Sequence, residues 1–381
     1  MSLLLSITIG LYGVLIFILA RGTRRLEEFV PDDSPAVHSF SIIVVFRNEI
    51  ENLSGLVENL KGLAYPADKY EVLLIDDDSE DGSVEEIHRL QAAHPGLGIR
   101  LVENETFRFS PKKEAIEKGV RMAKFDWIIT TDADCMLQRE HLRALDQFLQ
   151  AREPNLVAGP VICTADDSFL QRFQLLDFLS LQGSTLGAFG MHRPGSLLSP
   201  FMCNGANLCY KRKAFIECGG YAGNEHIASG DDVFLLEKML ALDSEKVRFL
   251  KSRANVVQTL PKPSWKELLE QRKRWAAKTS SYGNAFGKVV GILVLLANLG
   301  LVLGLSMAFA GLITWNLLGL LFLVKLNVDF LLIYRAASFF ERTEAMRSFL
   351  TSSLLYPFFV LIVSLSSIGG SYRWKGRRFT K

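Results

Sequence analysis

The feature that most constrains the fold is an apolar run that leads directly into two aspartates. Residues 128–131 are β-branched and predict a buried strand, and Asp132 and Asp134 follow it one residue apart. Because a strand end is a rigid mount, the loop beyond it can turn both carboxylates toward one cation. Carboxylate oxygens suit Mg²⁺ or Mn²⁺, ions that also bind phosphates. The run predicts a sheet with a metal site, although an Asp-x-Asp pair alone also occurs in turns and helix starts.

Strand-like apolar runs alternate with amphipathic stretches between residues 40 and 260. The runs at 41–46, 71–75, 99–102 and 127–131 predict strands, and those at 51–62, 82–93 and 112–124 predict helices. This alternation predicts an open parallel sheet. Ligands of such sheets bind at the carboxyl ends of the strands, which is where the acidic residues of this chain lie.

Long apolar blocks flank this region. Residues 3–20 carry no charge and form a block of roughly 18 residues, long enough to span a bilayer. The block lacks the basic start and cleavage site of a signal peptide, so we interpret it as a retained anchor. Arg21, Arg24 and Arg25 follow it and favour a cytoplasmic location for the next domain. Residues 289–310, 317–333 and 350–369 predict two or three further membrane segments.

Lys325 and Asp329 interrupt the second of these C-terminal blocks. They are four residues apart, on one face of a helix, where they can pair. A charge at the bilayer centre costs roughly 2.5–3.5 kcal/mol, so both should face protein or water. A tilted or interfacial helix is the alternative.

The basic tail at residues 373–378 raises a question of topology. Three C-terminal crossings would export this tail, against the positive-inside tendency. Either one block does not cross or the tendency fails here, and the sequence leaves both open.

Charge and cysteine content exclude some classes of protein. The net charge of +2 gives no overall field that would recruit nucleic acid, so we expect no nucleic-acid partner. The five cysteines are odd in number and lack the paired spacing of a zinc site. They are expected to be reduced cytosolic thiols.

Polar motifs close the predicted strands or open the predicted helices. They are Arg47-Asn48-Glu49, Asp76-Asp77-Asp78, Lys112, Asp132 with Asp134, Asn204-Gly205-Ala206-Asn207, Gly230-Asp231-Asp232 and Gln271-Arg272-Lys273-Arg274-Trp275. Each motif alone also fits a helix cap, an acidic turn or a solvated basic helix. In the last motif, Gln271, Arg274 and Trp275 share one helix side at the i, i+3 and i+4 positions. The fixed order of the set favours a site.

This ordered set resembles the membrane-bound, inverting family 2 glycosyltransferases with a GT-A fold, which include cellulose and hyaluronan synthases and ceramide glucosyltransferases. The resemblance covers roughly residues 40 to 280. It implies an α/β GT-A domain, a nucleotide-diphospho-sugar transferase fold with a mostly parallel sheet, flanked by transmembrane helices. Two positions depart from the family pattern. Asp231 stands where the family usually has Glu, and Pro111 stands where a glycine usually precedes the basic residue.

The resemblance also implies roles for individual residues. Asp232 would be the catalytic base, and Asp132 and Asp134 would hold Mn²⁺ or Mg²⁺. The donor nucleotide sugar would be bound by Arg47, Glu49, Asp76, Asp77, Lys112, Asp132, Gln271 and Arg274. The acceptor would be met by Asn204, Asn207, Asp231 and Trp275.

The expected function is metal-dependent, inverting transfer of a sugar from a nucleotide-diphosphate sugar, a UDP-sugar by expectation, to a membrane lipid or lipid-linked acceptor. At most four membrane segments are too few to enclose a polymer channel within one chain. The alternatives are a polysaccharide synthase subunit working with partners and a non-catalytic nucleotide-sugar-binding scaffold.

The expected organisation is that of a multi-pass protein of the bacterial inner membrane. An anchor at 1–25 would precede a cytoplasmic catalytic domain at 38–285, and a C-terminal membrane region at 286–381 would end in the basic tail.

Overall fold

The computed structural model describes residues 2–104, 110–225, 227, 229–278, 281–368, 371–374 and 377–380, with the backbone alone at 371–374 and 378–380. Its helices are α1 (Ser2–Arg25), α2 (Ile50–Lys61), α3 (Ser83–Ala93), α4 (Pro111–Met122), α5 (His141–Arg152), α6 (Phe169–Met191), α7 (Arg212–Glu217), α8 (Asp231–Asp243), α9 (Trp265–Ala277), α10 (Ala285–Phe309), α11 (Trp315–Phe339) and α12 (Phe349–Ile368). Its strands are β1 (Phe40–Phe46), β2 (Tyr70–Asp76), β3 (Ile99–Glu103), β4 (Trp127–Asp132), β5 (Cys135–Met136), β6 (Leu156–Ala158), β7 (Val161–Cys163), β8 (Leu208–Lys211), β9 (Val247–Phe249), β10 (Val257–Thr259), β11 (Ser371–Trp374) and β12 (Arg377–Thr380).

The central sheet has seven strands in the order β3-β2-β1-β4-β8-β6-β9. All its neighbouring strands are parallel except β8, which runs antiparallel to β4 and β6. The prediction of a mostly parallel sheet is therefore confirmed. Strand β1 is buried because helices cover both faces: Ile43 packs with Ile116 of α4, while Ile42 and Val44 pack with Leu53 of α2.

The register of the sheet brings the acidic strand ends together. Phe46 at the end of β1 pairs with Asp76 of β2, and Val45 pairs with Asp132 of β4. The residues that follow β1, β2 and β4 therefore lie at one edge. A second sheet has three strands in the order β5-β10-β7. In it Cys135, the residue after Asp134, pairs with Thr259 of β10.

In the part of the chain that the structure describes, four helices are long and apolar enough to cross a membrane: Ser2–Arg25, Ala285–Phe309, Trp315–Phe339 and Thr343–Ile368. They include the predicted N-terminal anchor and the three predicted C-terminal blocks. Helix α1 packs against α10 and α11 and also against α6.

The contact between α1 and α6 depends on glycines. A Cβ at Gly187 would lie 2.4 Å from the carbonyl oxygen of Leu19, and one at Gly190 would lie 2.0 Å from that of Gly22. Small residues let two helix backbones approach this closely. Helix α6 thereby joins the sheet domain to α1.

Helix α12 packs along the sheet domain at several levels. The rings of Phe359 and Phe173 are 5.1 Å apart, and the hydroxyl of Tyr356 donates to Asp177 at 3.1 Å. Just before α12, Arg172 donates to the hydroxyl of Ser348 at 2.7 Å. The middle of α12 and the residue before it therefore contact α6, and α12 also packs against α9 and α10.

Candidate active site

One continuous cavity of about 1470 Å³ runs from the carboxyl edge of the sheet to the four long apolar helices. Twelve of the fourteen predicted site residues line it: Arg47, Glu49, Asp77, Lys112, Asp132, Asp134, Asn204, Asp231, Asp232, Gln271, Arg274 and Trp275. Residues more than 200 positions apart in the chain therefore share one space, as the order of the motifs suggests.

Asp76 and Asn207 lie away from this cavity. Asp76 is buried and accepts a hydrogen bond from the backbone N–H of Ser79 at 3.1 Å, which shapes the turn after β2. The amide of Asn207 donates to the carbonyls of Pro160 and Asn255 at 3.0 and 2.7 Å. The expectation that these two side chains meet a ligand is corrected: they support the loops that carry the site.

The end of the cavity beside β2 is built around Asp77. Its side chain is 1% exposed, and burial raises the pKa of Asp77 to about 6 although Arg377 and Arg47 oppose the shift. The guanidinium of Arg377 reaches both carboxylate oxygens, at 3.1 and 3.2 Å. Arg47 donates to the backbone carbonyl of Asp77 at 2.8 Å and pairs with Asp78 at 2.9 Å, so it also fixes the loop.

The contact of Arg377 with Asp77 was not predicted from the sequence. The sequence showed it only as part of a basic tail, with no spacing that relates it to Asp77. A contact between residues 300 positions apart leaves no local pattern.

The donor set at the end of β4 suits a hard cation. Ligand atoms of Asp132, Asp134 and Cys135 lie within 4.8 Å of one another. The thiol of Cys135 is a poor partner for Mg²⁺ or Mn²⁺, and burial raises its pKa well above the usual value, so it stays protonated. The two carboxylates fit the metal, and phosphate oxygens of a bound donor would complete its coordination.

Lys112 connects the two acidic groups of the site. Its ammonium lies 2.9 Å from Asp132 and 3.7 Å from Asp231. Burial opposes its charge, but the two carboxylates outweigh this and raise the pKa of Lys112. Its position in the first turn of α4 directs a fixed positive charge into the cavity.

The neighbouring Lys113 is buried instead of facing the site. It donates to the carbonyl of Asn224 at 2.7 Å, and burial lowers its pKa to about 8. The two lysines of the motif thus have different roles, one in the cavity and one in the core.

Asp232 lies in the first turn of α8, two residues after Gly230, whose φ of 86° favours glycine. One oxygen accepts from the backbone N–H of Val233 at 2.8 Å and the other from that of Gly205 at 3.3 Å. Burial raises the pKa of Asp232, and Lys278 partly offsets the shift. A held carboxylate with a raised pKa is suited to accept a proton.

Asp231 has the opposite shift. Burial disfavours its charge, but Lys112, Lys278 and Lys113 outweigh burial and lower the pKa of Asp231. The pKa values of the two neighbouring aspartates therefore shift in opposite directions. Asp231 stays charged and organises the lysines, while Asp232 is the more basic carboxylate.

Lys278 and Tyr282 also line the cavity and were missed. A Cβ on Gly230 would lie 3.2 Å from Cδ of Lys278 and 3.3 Å from the Tyr282 hydroxyl, so both side chains close over the start of α8. Burial lowers the pKa of Lys278. The sequence did contain an indication for Lys278, because it follows Trp275 by three residues and such residues share one face of a helix.

Helix α9 presents its motif as predicted and uses one further residue. Gln271, Arg274 and Trp275 line the cavity. Arg272 also borders the cavity, but its guanidinium pairs with Asp177 of α6 at 2.6 Å and lies 4.2 Å from the centre of the Trp275 ring. This buried ion pair fixes the rotation of α9 about its axis.

The motif geometry agrees with a family comparison. Residues 52–380 match the model of glycosyl transferase family 21. The chain belongs to glycosyl transferase family 21. The match confirms the expected enzyme class, a family 2-type glycosyltransferase with a GT-A fold. It also includes the C-terminal helices and most of the tail, so the family resemblance extends beyond the catalytic motifs.

Two curated relatives and one solved structure are similar to this family 21 chain. A poly-beta-1,6-N-acetyl-D-glucosamine synthase of Staphylococcus aureus is 23% identical over 173 residues, 45% of this chain and 40% of the synthase. A glycosyltransferase of Haloferax volcanii is 26% identical over 121 residues, 32% of this chain and 38% of that protein. The chain thus spans about two fifths of the length of these relatives.

The solved structure is a mannosyltransferase of Pyrobaculum calidifontis in complex with GDP-Man and Mn²⁺. It is 17% identical, with a TM-score of 0.62, and the superposition covers 96% of this chain and 97% of that one. The similarity shows a shared fold over nearly all of this chain.

Proposed function

We propose that this family 21 enzyme transfers a sugar, with inversion, from a nucleotide-diphosphate sugar, a UDP-sugar by expectation, to a hydroxyl of a membrane lipid. The observation that carries the proposal is the continuous cavity, which joins the motif residues at the sheet edge to the membrane helices. An acceptor that enters from the bilayer and a donor that enters from the sheet edge would meet beside Asp232.

In the reaction, the acceptor hydroxyl attacks the anomeric carbon as Asp232 takes its proton. The bond from that carbon to the diphosphate breaks, and the nucleoside diphosphate leaves with the electron pair. A single displacement from the opposite side inverts the anomeric centre. The backbone N–H groups of Gly205 and Val233 hold the carboxylate of Asp232 for this transfer.

Charge that develops on the leaving diphosphate meets fixed positive groups. Lys112 and Arg274 line the cavity, and Lys112 is held between Asp132 and Asp231. Preorganised charges of this kind supply much of the stabilisation in group transfer. A divalent cation held by Asp132 and Asp134 would neutralise the diphosphate further. The Mn²⁺ in the mannosyltransferase complex supports this assignment.

The apolar helices support a proposal for the position of the catalytic domain. We infer that α1, α10 and α11 cross the bilayer and that α12 lies against the catalytic domain. Ser348 before α12 and Arg377 after it both contact that domain. A crossing helix would leave its far end roughly 30 Å away. This topology keeps the basic tail on the cytoplasmic side, in agreement with the positive-inside tendency.

The test is release of nucleoside diphosphate by the purified full chain with Mn²⁺, across UDP- and GDP-sugars, with and without membrane lipid extract. We expect release that requires one donor and lipid, with the sugar recovered in the lipid phase. Asp232→Asn should abolish turnover while nucleotide binding remains. Lipid-independent growth of a polymer would support the synthase alternative instead, and donor binding without turnover would support a scaffold.

A further inference from the structure

Four arginines line a second cavity, at the ends of two long apolar helices. Arg21, Arg24 and Arg25 lie in the last two turns of α1, and Arg335 lies in the last two turns of α11. Together with Phe17 they surround a space of about 370 Å³, which shares no lining residue with the reaction cavity. We call these four arginines the arginine cluster.

Helix packing directs these side chains to one place. Arg24 and Arg25 follow Arg21 by three and four residues, so all three belong to one side of α1. Helix α11 packs against α1, and the guanidinium of Arg335 donates to the backbone carbonyl of Ala20. A run of arginines after an apolar helix would by itself serve only its orientation. The convergence of a fourth arginine from a second helix indicates a site.

The arginine cluster has no counter-ion within the described parts of the chain. The acidic residues that follow the two helices are Glu27, which forms no ion pair with any described residue, and Glu28 and Glu341. Both Glu28 and Glu341 pair with Arg253, at 3.1 and 2.5 Å. Helix α1 has no acidic residue, and the single one on α11, Asp329, pairs within its own helix at 2.6 Å. Four like charges around one cavity repel each other, and a bound anion would remove this repulsion.

The guanidiniums also keep most of their hydrogen-bonding capacity. Arg25 donates to the sulfur of Met191 at 3.4 Å, and Arg335 donates to one carbonyl. The side chains of Arg21 and Arg24 have no hydrogen-bond partner among the residues that the structure describes. A guanidinium carries five N–H donors in a planar fork that fits two oxygens of a phosphate. The chemistry of the arginine cluster therefore suits a phosphate group.

The apolar side of the cavity favours a phosphate that is carried by a lipid. Phe17 lies one turn before Arg21 on α1, and its side chain is 53% exposed. Val14, about one turn further from the arginines, is also exposed. A phospholipid matches this order, because its acyl chains would lie along the exposed apolar side chains while its phosphate reaches the arginines. A free phosphate would leave Phe17 without a partner.

The end of α1 beside the arginine cluster is attached to the sheet domain. The ammonium of Lys251, two residues after β9, donates to the carbonyls of Thr23 and Leu26 at 3.0 and 2.9 Å. The backbone N–H of Phe29 donates to the carbonyl of Lys251 at 2.7 Å. A ligand that holds the arginines therefore also holds the segment that joins the sheet domain to α1.

We propose that the arginine cluster binds the phosphate of an anionic phospholipid, at a site separate from the reaction cavity. A head with two phosphates neutralises more of the four charges than a head with one. Diphosphatidylglycerol should therefore bind more tightly than phosphatidylglycerol. The bound head sets the level of the sheet domain relative to the lipid phosphates. The inference does not depend on which acceptor receives the sugar.

The first test is lipid binding by the purified full chain in detergent, titrated with diphosphatidylglycerol and followed by native mass spectrometry. The salt concentration is about 0.15 M, at which diffuse attraction is largely screened. The test variant is Arg21→Gln with Arg24→Gln, because these side chains bond to no described residue and their loss should not disturb the fold. We expect Kd for the lipid to rise about tenfold or more, since two charge-assisted contacts are lost.

A second variant separates a built site from general attraction. Arg21→Lys with Arg24→Lys keeps both charges and removes the planar forks, so Kd should rise about threefold or more. The matched control is Arg139→Gln with Arg248→Gln, which removes two exposed charges from the sheet domain. Neither arginine forms an ion pair with a described residue. The control should leave Kd unchanged, and thermal unfolding shows whether each variant is folded.

The remaining outcomes identify the source of the phosphate. We expect diphosphatidylglycerol to raise the unfolding temperature of the wild type and not that of the glutamine variant. If inorganic phosphate at the same phosphate concentration stabilises the wild type equally, the site holds free phosphate and the lipid assignment is wrong. The proposal is overturned if the glutamine variant binds the lipid as tightly as the wild type. It is also overturned if the lysine variant does so, or if phosphatidylcholine binds as tightly as diphosphatidylglycerol.

Discussion

The ion pair between Arg272 and Asp177 gives the sharpest test of how the site is held. Both side chains are buried, 8% and 5% exposed, and the guanidinium Nε lies 2.6 Å from the carboxylate. The second oxygen of Asp177 accepts from Tyr356 at 3.1 Å. The pair therefore joins α9, which carries Gln271 and Arg274, to α6 and α12.

The substitution is Asp177→Asn, which keeps the shape of the side chain and removes its charge. Leaving one member of a buried pair without its counter-charge costs about 3–5 kcal/mol. A change of this size exceeds a hundredfold in the unfolding equilibrium, since about 1.4 kcal/mol corresponds to a factor of ten. Transfer should slow as well, because α9 loses the contact that fixes its rotation.

The assay is unfolding of the detergent-solubilised protein by titration with SDS, alongside the initial rate of nucleoside diphosphate release. The matched control is Asp126→Asn, in an exposed pair at 3.3 Å whose aspartate is 87% exposed. It should cost less than about 1 kcal/mol. The double variant Asp177→Leu with Arg272→Met, which leaves no unpaired charge, should recover most of the lost stability.

Either of two results would refute this reasoning. One is an Asp177→Asn protein as stable as the control variant. The other is a double variant less stable than the single one, because then packing of these side chains, and not the unpaired charge, would account for the loss.

Three further predictions follow from the same geometry. Because burial raises the pKa of Asp232 and the base must be deprotonated, the transfer rate should fall with acidification at a pH above that of an ordinary aspartate; a pH–rate profile without this limb contradicts the assignment. Gly187→Ala should destabilise the protein by about 1–3 kcal/mol, because the added methyl group would clash with the α1 backbone. The control Gly55→Ala, whose added methyl group meets nothing within 4 Å, should stabilise the protein slightly. Equal unfolding midpoints for the two variants would refute the packing argument. Arg377→Ala should tighten UDP binding at pH 8 by about threefold or more, because it frees the carboxylate of Asp77 from a competing partner; weaker binding by calorimetry would show instead that Arg377 contacts the nucleotide.

The sequence was sufficient to predict the position of the motif residues at the sheet edge, because each motif depends on a pattern of neighbouring residues. A β-branched run followed by Asp132 and Asp134 requires a strand and a loop, and parallel strands bring such loops to one edge. The helical spacing of Gln271, Arg274 and Trp275 likewise predicted a shared face, and all three line the cavity. The pairing of Lys325 with Asp329 followed from the same spacing rule.

Local patterns do not distinguish a residue that faces a ligand from one that supports a loop. Asp76 and Asn207 stand in the right motifs, but one shapes a turn and the other bonds backbone carbonyls beneath the site. Lys112 and Lys113 are neighbours, yet only the first faces the cavity. The direction of a side chain depends on the packing of the element that carries it.

Only the tertiary structure decided the contacts between distant segments. Arg377 against Asp77, Arg272 against Asp177, and the meeting of α1, α11 and α12 around Lys325 each join residues that no spacing relates. These contacts depend on how the helices dock, and the close approach at Gly187 and the buried ion pairs both contribute to that docking. The sequence by itself therefore determined the fold and the grouping of the motif residues at the sheet edge. The shape of the cavity beside the apolar helices was decided by helix packing, because packing is a sum of many weak and non-local contacts that leave no pattern along the chain.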